Sequence, residues 1–520
     1  MSSIAAARVM AIGLTVLVLA SEAATQDLER GQRLYDRWCA ECHGVDGKGD
    51  GSAAAYMLPR PRDFTMGIYQ IRTTPNGELP TDEDVERIIR VGMPGTAMPG
   101  WESKFNQGEI RDVVAYIKTF SRFFEQLGEP NPLAFGKPPR LTEEGLAEGR
   151  RFYREIECFK CHGDAGRGDG PSAPTLQDDL DFPARPADLT KNWTFNGGGT
   201  VDEIYRRLRT GLDGSPMPSF SDLIDSGFMT DEQLWHVAQY VRSLAPDDPP
   251  RVREVITATL VEAELPASPD DLLWDEIEPL YIPMVGQVIR QTRWFAPTVD
   301  GLWVRAAHNG EELALMITWH DPSRSPDPAW LEWQQWIAQS VYPFRETGGA
   351  ERLPDRLTVQ FPMSIPTGRE RPYFLMGDSR RPVYLWQWIS DPEEALEARA
   401  TGLGSAQALA AGSRTLTWSS SWDQGEWRVQ FRRRLATADS VNALQFLLGE
   451  AIPIAFFAWD GSNGESGTQM AISSWYAIHL QQPASSTVYL SPVAAMLATA
   501  ALGFLVIWRA QRREEEERSS

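Results

Sequence analysis

All four cysteines of this 520-residue chain fall into two copies of the pattern Cys-x-x-Cys-His. The residues that could carry chemistry are Cys39, Cys42 and His43 in the first copy and Cys158, Cys161 and His162 in the second. This spacing suits covalent attachment of haem, because two thiols add to the two vinyl groups of the porphyrin and the histidine offers an imidazole to the iron. The sequence therefore predicts two covalent haem c groups and, from them, electron transfer.

Each motif lies within a longer repeat. The matched segments are 31–35 with 149–153, 47–51 with 166–170 and 61–65 with 186–190. Apolar spacing predicts short helices over 85–91 and 204–210 and closing helices over 109–120 and 231–244. Between the two predicted helices, each copy has a Met-Pro loop, in which Met98 and Met217 follow their histidines at the same interval.

In this order the residues resemble a class I cytochrome c domain, which is a small all-α unit. The resemblance implies that the loop methionine is the sixth iron ligand, so it assigns Met98 and Met217 beside His43 and His162. Met93 competes with Met98 because it also precedes a proline, but it breaks the equal spacing. A soft thioether stabilises ferrous iron and fills the last coordination position, which disfavours substrate chemistry at the metal.

Other interpretations of these motifs explain less. Zinc could use the Cys-x-x-Cys pairs, but it would leave both histidines and both Met-Pro loops without a role, and a thioredoxin-like pair lacks its fold context. The two loop methionines could instead fill the core. The glycine-rich segments after the histidines lack the Gly-Lys-Ser/Thr pattern of a phosphate loop, so we interpret them as backbone turns close to the porphyrin.

Composition and the two ends of the chain predict where the protein works. A hydrophobic content of 42% predicts packed domains, and a net charge of −21 argues against a nucleic-acid partner. Residues 1–24 predict a signal peptide, with an uncleaved anchor as the alternative. Residues 488–508 carry no charge and predict a transmembrane helix, and the arginines after it assign 509–520 to a cytoplasmic tail and the bulk to the periplasmic side of the inner membrane.

The pattern changes from helix to strand in the second half. We expect cytochrome c domains at 25–127 and 141–247, joined by a Pro/Gly-rich linker at 128–140. Strands are predicted at 303–308, 311–319, 356–361, 383–388, 415–422, 426–431 and 454–459, and Asn309-Gly310 predicts a tight hairpin. The expected fold is multidomain: two all-α cytochrome c domains, a β-sandwich over 265–482 and one C-terminal transmembrane helix.

The second half resembles the haem-b domain of the ethylbenzene dehydrogenase type. The resemblance rests on four segments, 271–274, 303–321, 359–362 and 376–388. That domain is the γ subunit of periplasmic molybdenum enzymes of the dimethyl sulfoxide reductase superfamily. The resemblance implies one non-covalent haem b, a molybdopterin catalytic subunit and an iron–sulfur subunit as partners, and electron exchange with a soluble cytochrome c or quinol.

In that family a methionine and a lysine typically hold haem b. Here the last lysine of the chain is Lys191, so the second half offers none. Met363 is the first candidate for the methionine ligand and Met376 the second, and Met470 could replace the lysine. The other available donors are His308, His320 and His479. Each of these residues also has an alternative role as a core or turn residue.

The sequence as a whole predicts a membrane-anchored multihaem cytochrome that passes electrons between a molybdopterin oxidoreductase complex and a cytochrome or quinone pool. We assign no catalytic residues, because we find no Ser/His/Asp set, paired-carboxylate site or nucleotide fingerprint, so the chain is interpreted as a non-catalytic subunit. Two alternatives stay open. One is a dihaem cytochrome c fused to a haem-free, ligand- or carbohydrate-binding sandwich, and the other is a dihaem peroxidase, which needs an open iron site.

Overall fold

A computed structural model describes residues 27–519 of the chain, except 129, 263, 342–351, 367, 369 and 483–485. The predicted signal peptide at 1–24 lies outside the described residues. Helices form the first half, strands form most of the second half, and one long helix follows.

Two consecutive helical units carry the repeat. The first unit consists of α1 (Leu28–Trp38), α2 (Ala40–His43), α3 (Asp82–Val91), α4 (Gln107–Lys118) and α5 (Phe123–Gln126). The second unit consists of α6 (Glu143–Glu155), α7 (Phe159–His162), α8 (Val201–Thr210), α9 (Ser221–Asp225) and α10 (Asp231–Ser243). Helices α3 and α8 each begin three residues before the predicted start, because Thr81 and Thr200 cap them in reciprocal capping boxes.

In each unit the first helix crosses the long helix that follows the Met-Pro loop, α4 or α10, at a glycine. A Cβ atom on Gly31 of α1 would lie 2.2 Å from the Asp112 carbonyl oxygen of α4. A Cβ atom on Gly149 of α6 would lie 2.0 Å from the His236 carbonyl oxygen of α10. Since real Cβ contacts are never so short, the glycines fix how closely the two helices pack. The repeat in the sequence is therefore a repeat in space.

The expectation of all-α units is confirmed only in part. The loops that connect the helices include short 3₁₀ helices, Ala54–Tyr56, Ala173–Thr175 and Asn192–Thr194. An isolated antiparallel bridge also joins Gln177 to Pro183 in the second unit. Proline and glycine in these loops prevent longer helices, so the chain satisfies its backbone groups through single turns and this bridge. The linker between α5 and α6 packs on both units: the Leu133 amide donates to the Thr73 carbonyl at 2.8 Å, and the Pro139 carbonyl accepts from the Gln239 side-chain amide at 2.8 Å.

The sheet domain follows. Its strands are β1 (Val255–Leu260), β2 (Leu280–Pro283), β3 (Val285–Gly286), β4 (Gly301–His308), β5 (Glu312–His320), β6 (Arg356–Pro362), β7 (Val383–Ser390), β8 (Glu393–Ala400), β9 (Gln407–Ala408), β10 (Thr417–Asp423), β11 (Glu426–Arg434), β12 (Ala451–Trp459), β13 (Ala471–Ile472) and β14 (Tyr476–Leu480). One helix, α11 (Leu331–Val341), lies between β5 and β6, and short 3₁₀ helices occur at Leu272–Glu276, Pro328–Trp330, Ala411–Ser413 and Gly461–Asn463. The hairpin predicted at Asn309-Gly310 joins β4 to β5.

The described strands form one continuous mixed sheet rather than two separate sheets. Its main order is β10-β11-β5-β4-β1-β14-β12-β6-β7-β8-β9, and β1 runs parallel to both β4 and β14. Strand β12 pairs with β14 through its first half and with β6 through its second, so the sheet changes direction there. The two halves face each other across an aromatic core in which the Trp388 and Trp427 rings lie 4.7 Å apart. The structure therefore differs from the predicted two-sheet sandwich. A single sheet folds over on itself, because β12 pairs with strands of both halves.

The C-terminal helix, α12 (Ser486–Ser519), continues through the residues assigned to the tail. Its segment Ser491–Ser519 is long and apolar enough to cross a bilayer, and none of its apolar window is buried against the rest of the chain. An apolar segment of this length whose described side chains are exposed fits a lipid environment.

Candidate haem sites

The residues of the first Cys-x-x-Cys-His motif meet at a cavity. Cys39 caps the end of α1, and Cys42 and His43 lie on the single turn α2. A cavity of about 450 Å³ is lined by both cysteines, His43 and, from the loop after α3, Met98. Two thiols, an imidazole and a thioether on one mostly apolar cavity are the donor set that covalent haem needs, so the residues present fit the group.

Each motif histidine is oriented by a backbone carbonyl. The Nδ1 atom of His43 lies 3.0 Å from the Arg62 carbonyl oxygen, and that of His162 lies 2.9 Å from the Ala187 carbonyl oxygen. Because a carbonyl only accepts, Nδ1 carries the proton and the lone pair of Nε2 is left for a metal. Burial lowers the pKa of both histidines despite these hydrogen bonds, which keeps the rings neutral.

The glycine-rich turns bring those carbonyls into place. Gly49 has a φ of +72°, and a Cβ atom there would lie 2.4 Å from the Pro61 carbonyl oxygen. Gly168 has a φ of +78° and would place a Cβ atom 3.0 Å from the Pro186 carbonyl oxygen. Only glycine adopts this backbone without strain and lets the next segment approach so closely. The turns predicted to pack near a porphyrin therefore also position the histidine acceptors.

The two Met-Pro loops have matching hydrogen bonds. The Met93 amide donates to the Met98 carbonyl at 3.1 Å, and the Leu212 amide donates to the Met217 carbonyl at 3.1 Å. Met93 and Met98 both line the first cavity. In the repeat, however, Met93 occupies the position of Leu212, which has no donor atom. A common ligand position in the two units is therefore available only to Met98 and Met217.

The cysteine side chains of the two motifs are neutral thiols, because burial raises their pKa. For Cys39 and Cys158 the pKa rises to about 12, and the second cysteine of the same motif, Cys42 or Cys161, adds to the effect of burial. Among the described residues, no cysteine belongs to a group of three or more His, Cys, Asp or Glu side chains close enough to share an ion. This weighs against a structural zinc site, which needs four ligands.

The second unit forms part of the wall of the first cavity. Asp178, Leu180 and Gly214 of the second unit line it together with Met98. The interface around this contact is held by Arg72, which is fully buried and pairs with Asp213 at 2.7 Å. The Arg72 guanidinium also donates to the Thr210 carbonyl at 2.9 Å. The two candidate sites therefore lie on either side of one tightly bonded interface.

The sheet domain docks on the second unit through partly buried ion pairs. The Arg167 guanidinium pairs with Glu426 at 2.9 Å, and the Lys191 ammonium pairs with Asp300 at 2.5 Å. His320 hydrogen-bonds through Nδ1 to Asp188, the residue after the carbonyl that orients His162. The sequence could not show this cluster, because its members come from three distant segments. The interface between the domains thus contains Lys191, the last lysine of the chain, and His320, one of the proposed haem-b donors.

A second cavity, of about 630 Å³, lies in the sheet domain. Its lining includes Met376, Trp388, Trp459 and the guanidinium-bearing residues Arg290 and Arg356. Two cationic groups beside an apolar wall could receive the carboxylates of a porphyrin.

Of the three methionines proposed as haem-b ligands, the structure places Met363 apart from Met376 and Met470. Met376 and Met470 are both buried in one hydrophobic cluster, and Met376 lines the second cavity. Met363 is partly buried and packs against the central aromatic core instead. Of the histidines, His308 accepts a hydrogen bond from the Gly310 amide at 3.3 Å and so caps its turn. Neither His308 nor His479 lines the second cavity.

Fold and sites together define a class of protein, a cytochrome with two cytochrome c domains joined to a large mixed-sheet domain. Residues 26–117 match the family described as cytochrome C oxidase, cbb3-type, subunit III, and residues 146–245 match the cytochrome c family. Residues 271–415 match the ethylbenzene dehydrogenase family.

Several known proteins are similar to parts of the chain. A Haloferax mediterranei protein named as a respiratory nitrate reductase heme subunit, ORF7, is 23% identical over 223 residues, which is 43% of this chain and 71% of that protein. The cbb3-type cytochrome c oxidase subunit CcoP of Rhodobacter capsulatus is 24% identical over 242 residues, 46% of this chain and 69% of that subunit. A solved structure of a reducing HAO-like protein complex from Kuenenia stuttgartiensis is 42% identical, covers 42% of this chain and 96% of its own, and gives a TM-score of 0.40.

Proposed function

We propose that the chain is a membrane-anchored electron-transfer subunit in which two haem c groups pass electrons across the interface between the helical units. The observation that carries this is the shared wall of the first cavity, where Asp178, Leu180 and Gly214 of the second unit face the site of His43. Electron transfer favours cofactors that are close and rigidly held. Haem supplies an iron that alternates between ferric and ferrous states and so carries one electron at a time.

The proposed ligands of the two irons are His43 with Met98 and His162 with Met217. Cys39 and Cys42 would bind the first porphyrin covalently, and Cys158 and Cys161 would bind the second. Two guanidinium groups, those of Arg60 and Arg62, line the first cavity and would neutralise porphyrin carboxylates there. His/Met ligation leaves no open position at either iron, which argues against a peroxidase.

Three alanine variants of the full-length, haem-loaded protein test this assignment. Met98→Ala and Met217→Ala should each remove half of the ferric thioether-to-iron absorption band and lower one of two midpoint potentials, because the thioether favours ferrous iron. Met93→Ala is the matched control and should leave both signals unchanged. If Met93→Ala removes the band while Met98→Ala leaves it, the ligand assignment is wrong.

We further propose that the sheet domain holds one haem b, as the match of residues 271–415 to the ethylbenzene dehydrogenase family suggests. The second cavity would accept it, with Met376 on the wall and Arg290 and Arg356 near the carboxylates. A pyridine haemochrome assay should give a c-to-b ratio of about two to one. Met376→Ala should remove haem b, and Met363→Ala should retain it. The reverse result would move the site to Met363, and haem c alone would favour a haem-free ligand-binding sheet domain.

The proposed partners are a molybdopterin catalytic subunit and an iron–sulfur subunit on one side, and a soluble cytochrome c or a quinol on the other. The naming of a similar Haloferax protein as a nitrate reductase heme subunit supports an oxidoreductase complex. The arginines after the apolar run, among them Arg509 and Arg512, support a periplasmic position for the bulk of the chain. Purification from the native membrane should bring a large molybdopterin subunit along, and its absence from a stable, haem-loaded preparation would refute the proposed complex.

A further inference from the structure

Three aspartates of the sheet domain meet at one end of the folded sheet. Asp321 directly follows β5, Asp355 directly precedes β6, and Asp460 directly follows β12. All three are fully buried, and each offers a carboxylate oxygen to a group whose members lie within 4.8 Å of one another. Since β5 belongs to one half of the sheet and β6 to the other, the cluster lies where the two halves come together.

Part of each carboxylate is held by protein donors. Asp355 accepts from the Gly461 amide at 2.9 Å, from the Ser325 amide at 2.7 Å and from the Trp427 indole at 3.0 Å. These bonds fix the orientation of the side chain. The cluster is thus built into the backbone of three loops and is not a group of mobile surface acids.

Two buried oxygens of the cluster have no hydrogen-bond donor. The Oδ2 atoms of Asp321 and Asp460 are both inaccessible to solvent, and no donor of the described residues lies within hydrogen-bond distance of either. An unpaired carboxylate oxygen in a protein interior is costly, so each of these atoms needs a nearby cation or a proton to balance it. The two unpaired oxygens are a separate observation from the closeness of the three side chains, and they point to a ligand between them.

The charges around the cluster do not balance. Within the described residues, the sole ion pair to these aspartates joins Asp460 to Arg185 of the second unit, with Nη2 and Oδ2 3.9 Å apart. One divalent cation together with Arg185 would balance three carboxylates.

We propose that Asp321, Asp355 and Asp460 form a binding site for a hard divalent cation, Ca²⁺, at the base of the sheet domain. The donors are all oxygen atoms, which suits Ca²⁺ and disfavours the softer metals that choose nitrogen or sulfur. The cation would hold the ends of β5, β6 and β12 together. Through Arg185, which also lies over the Trp333 ring at 5.2 Å, it would shape the surface on which the second unit docks.

The test uses the full-length, haem-loaded protein in detergent. After dialysis against micromolar Ca²⁺, elemental analysis should find about one calcium ion per chain. Asp460→Asn and Asp321→Asn should lose at least about 90% of it, because each variant removes a charged ligand. Asp248→Asn, an exposed aspartate between the second unit and β1, is the matched control and should retain the full amount.

The melting temperature of the wild-type protein gives a second test, which does not require the variants to fold. A chelator should lower the melting temperature of the wild-type sheet domain by about 5 °C, and added Ca²⁺ should restore it. The haem absorption bands should not change. No bound calcium in the wild type, no response to the chelator, or a higher melting temperature for Asp321→Asn would overturn the proposal and show that shared protons balance the cluster instead.

Discussion

Replacing Glu426 by glutamine would test how the sheet domain holds the second cytochrome unit. The Glu426 side chain is only 10% exposed and pairs with Arg167 of that unit at 2.9 Å and with Arg428 of its own strand at 2.8 Å. Burial alone would raise the pKa of Glu426, but the hydrogen bond from His320 and the two guanidinium charges outweigh it and lower the pKa to about 2. The carboxylate is therefore much better stabilised in the folded protein than in the unfolded chain.

The size of the effect follows from that pKa. An ordinary glutamate has a pKa of 4.5, so the depression to about 2 corresponds to about 3 kcal/mol of folding free energy when the group is ionised. Because the folded pKa is the lower one, this contribution is complete above pH 4.5 and decreases as the pH falls toward 2. About 2 kcal/mol of it should be lost by pH 3. At pH 7, Glu426→Gln should lower the melting temperature of the sheet domain by about 5–10 °C.

Differential scanning calorimetry of the haem-loaded protein between pH 7 and pH 3 measures this effect. The difference between wild type and Glu426→Gln should be largest at pH 7 and should shrink steadily below pH 4.5. Glu278→Gln is the matched control, because its pair with Arg253 is more than half exposed on both sides and should contribute less than about 0.5 kcal/mol. The reasoning would be refuted if Glu426→Gln had the same melting temperature as the wild type at pH 7. A difference in melting temperature that did not change with pH would also refute it.

Two further substitutions probe the helical units. Gly149→Ala should destabilise the second unit by about 3 kcal/mol or more, because the new methyl group would meet the His236 carbonyl at the helix crossing, whereas Gly136→Ala has room and should melt with the wild type. Differential scanning calorimetry measures the melting temperatures. Equal melting temperatures for the two variants would contradict the close helix crossing at Gly149. Arg72→Met should cost about 3–5 kcal/mol by leaving Asp213 unpaired at the interface between the units, and stopped-flow reduction should show slower equilibration between the haems. Unchanged stability and rates would mean that this interface does not control the haem arrangement.

The cytochrome units could be predicted from the sequence because their main signals are local. The motif at 39–43 spans a single helical turn, so its chemistry depends on neighbours in the chain and not on distant contacts. The capping residues Thr81 and Thr200 likewise act on the residues that follow them, and each is the counterpart of the other in the repeat. The crossing glycines Gly31 and Gly149 also correspond in the repeat, although each contacts a helix that is distant in the sequence. The assignment of the iron ligands stays a prediction that the spectroscopic variants above will test.

The sheet domain was predictable only at the level of its strands. Turn signals located β4 and β5 and the hairpin between them, since these depend on consecutive residues. They could not reveal that β12 exchanges its partner from β14 to β6 halfway along, because both partners are remote in sequence. The same limit applies to the proposed haem-b ligands: the position directly after β6 favoured Met363, whereas Met376 lines the second cavity.

The sequence by itself determined that two Cys-x-x-Cys-His units, a strand-rich region and an apolar C-terminal helix occur in this order. Only the tertiary structure decided which carbonyls orient His43 and His162, that the second unit forms part of the wall of the first cavity, and that Asp321, Asp355 and Asp460 form one buried cluster. The physical reason is the range of the interactions. Motifs, caps and turns are fixed by neighbours along the chain, whereas cavities, buried ion pairs and charge clusters arise where distant segments are packed together and excluded from water.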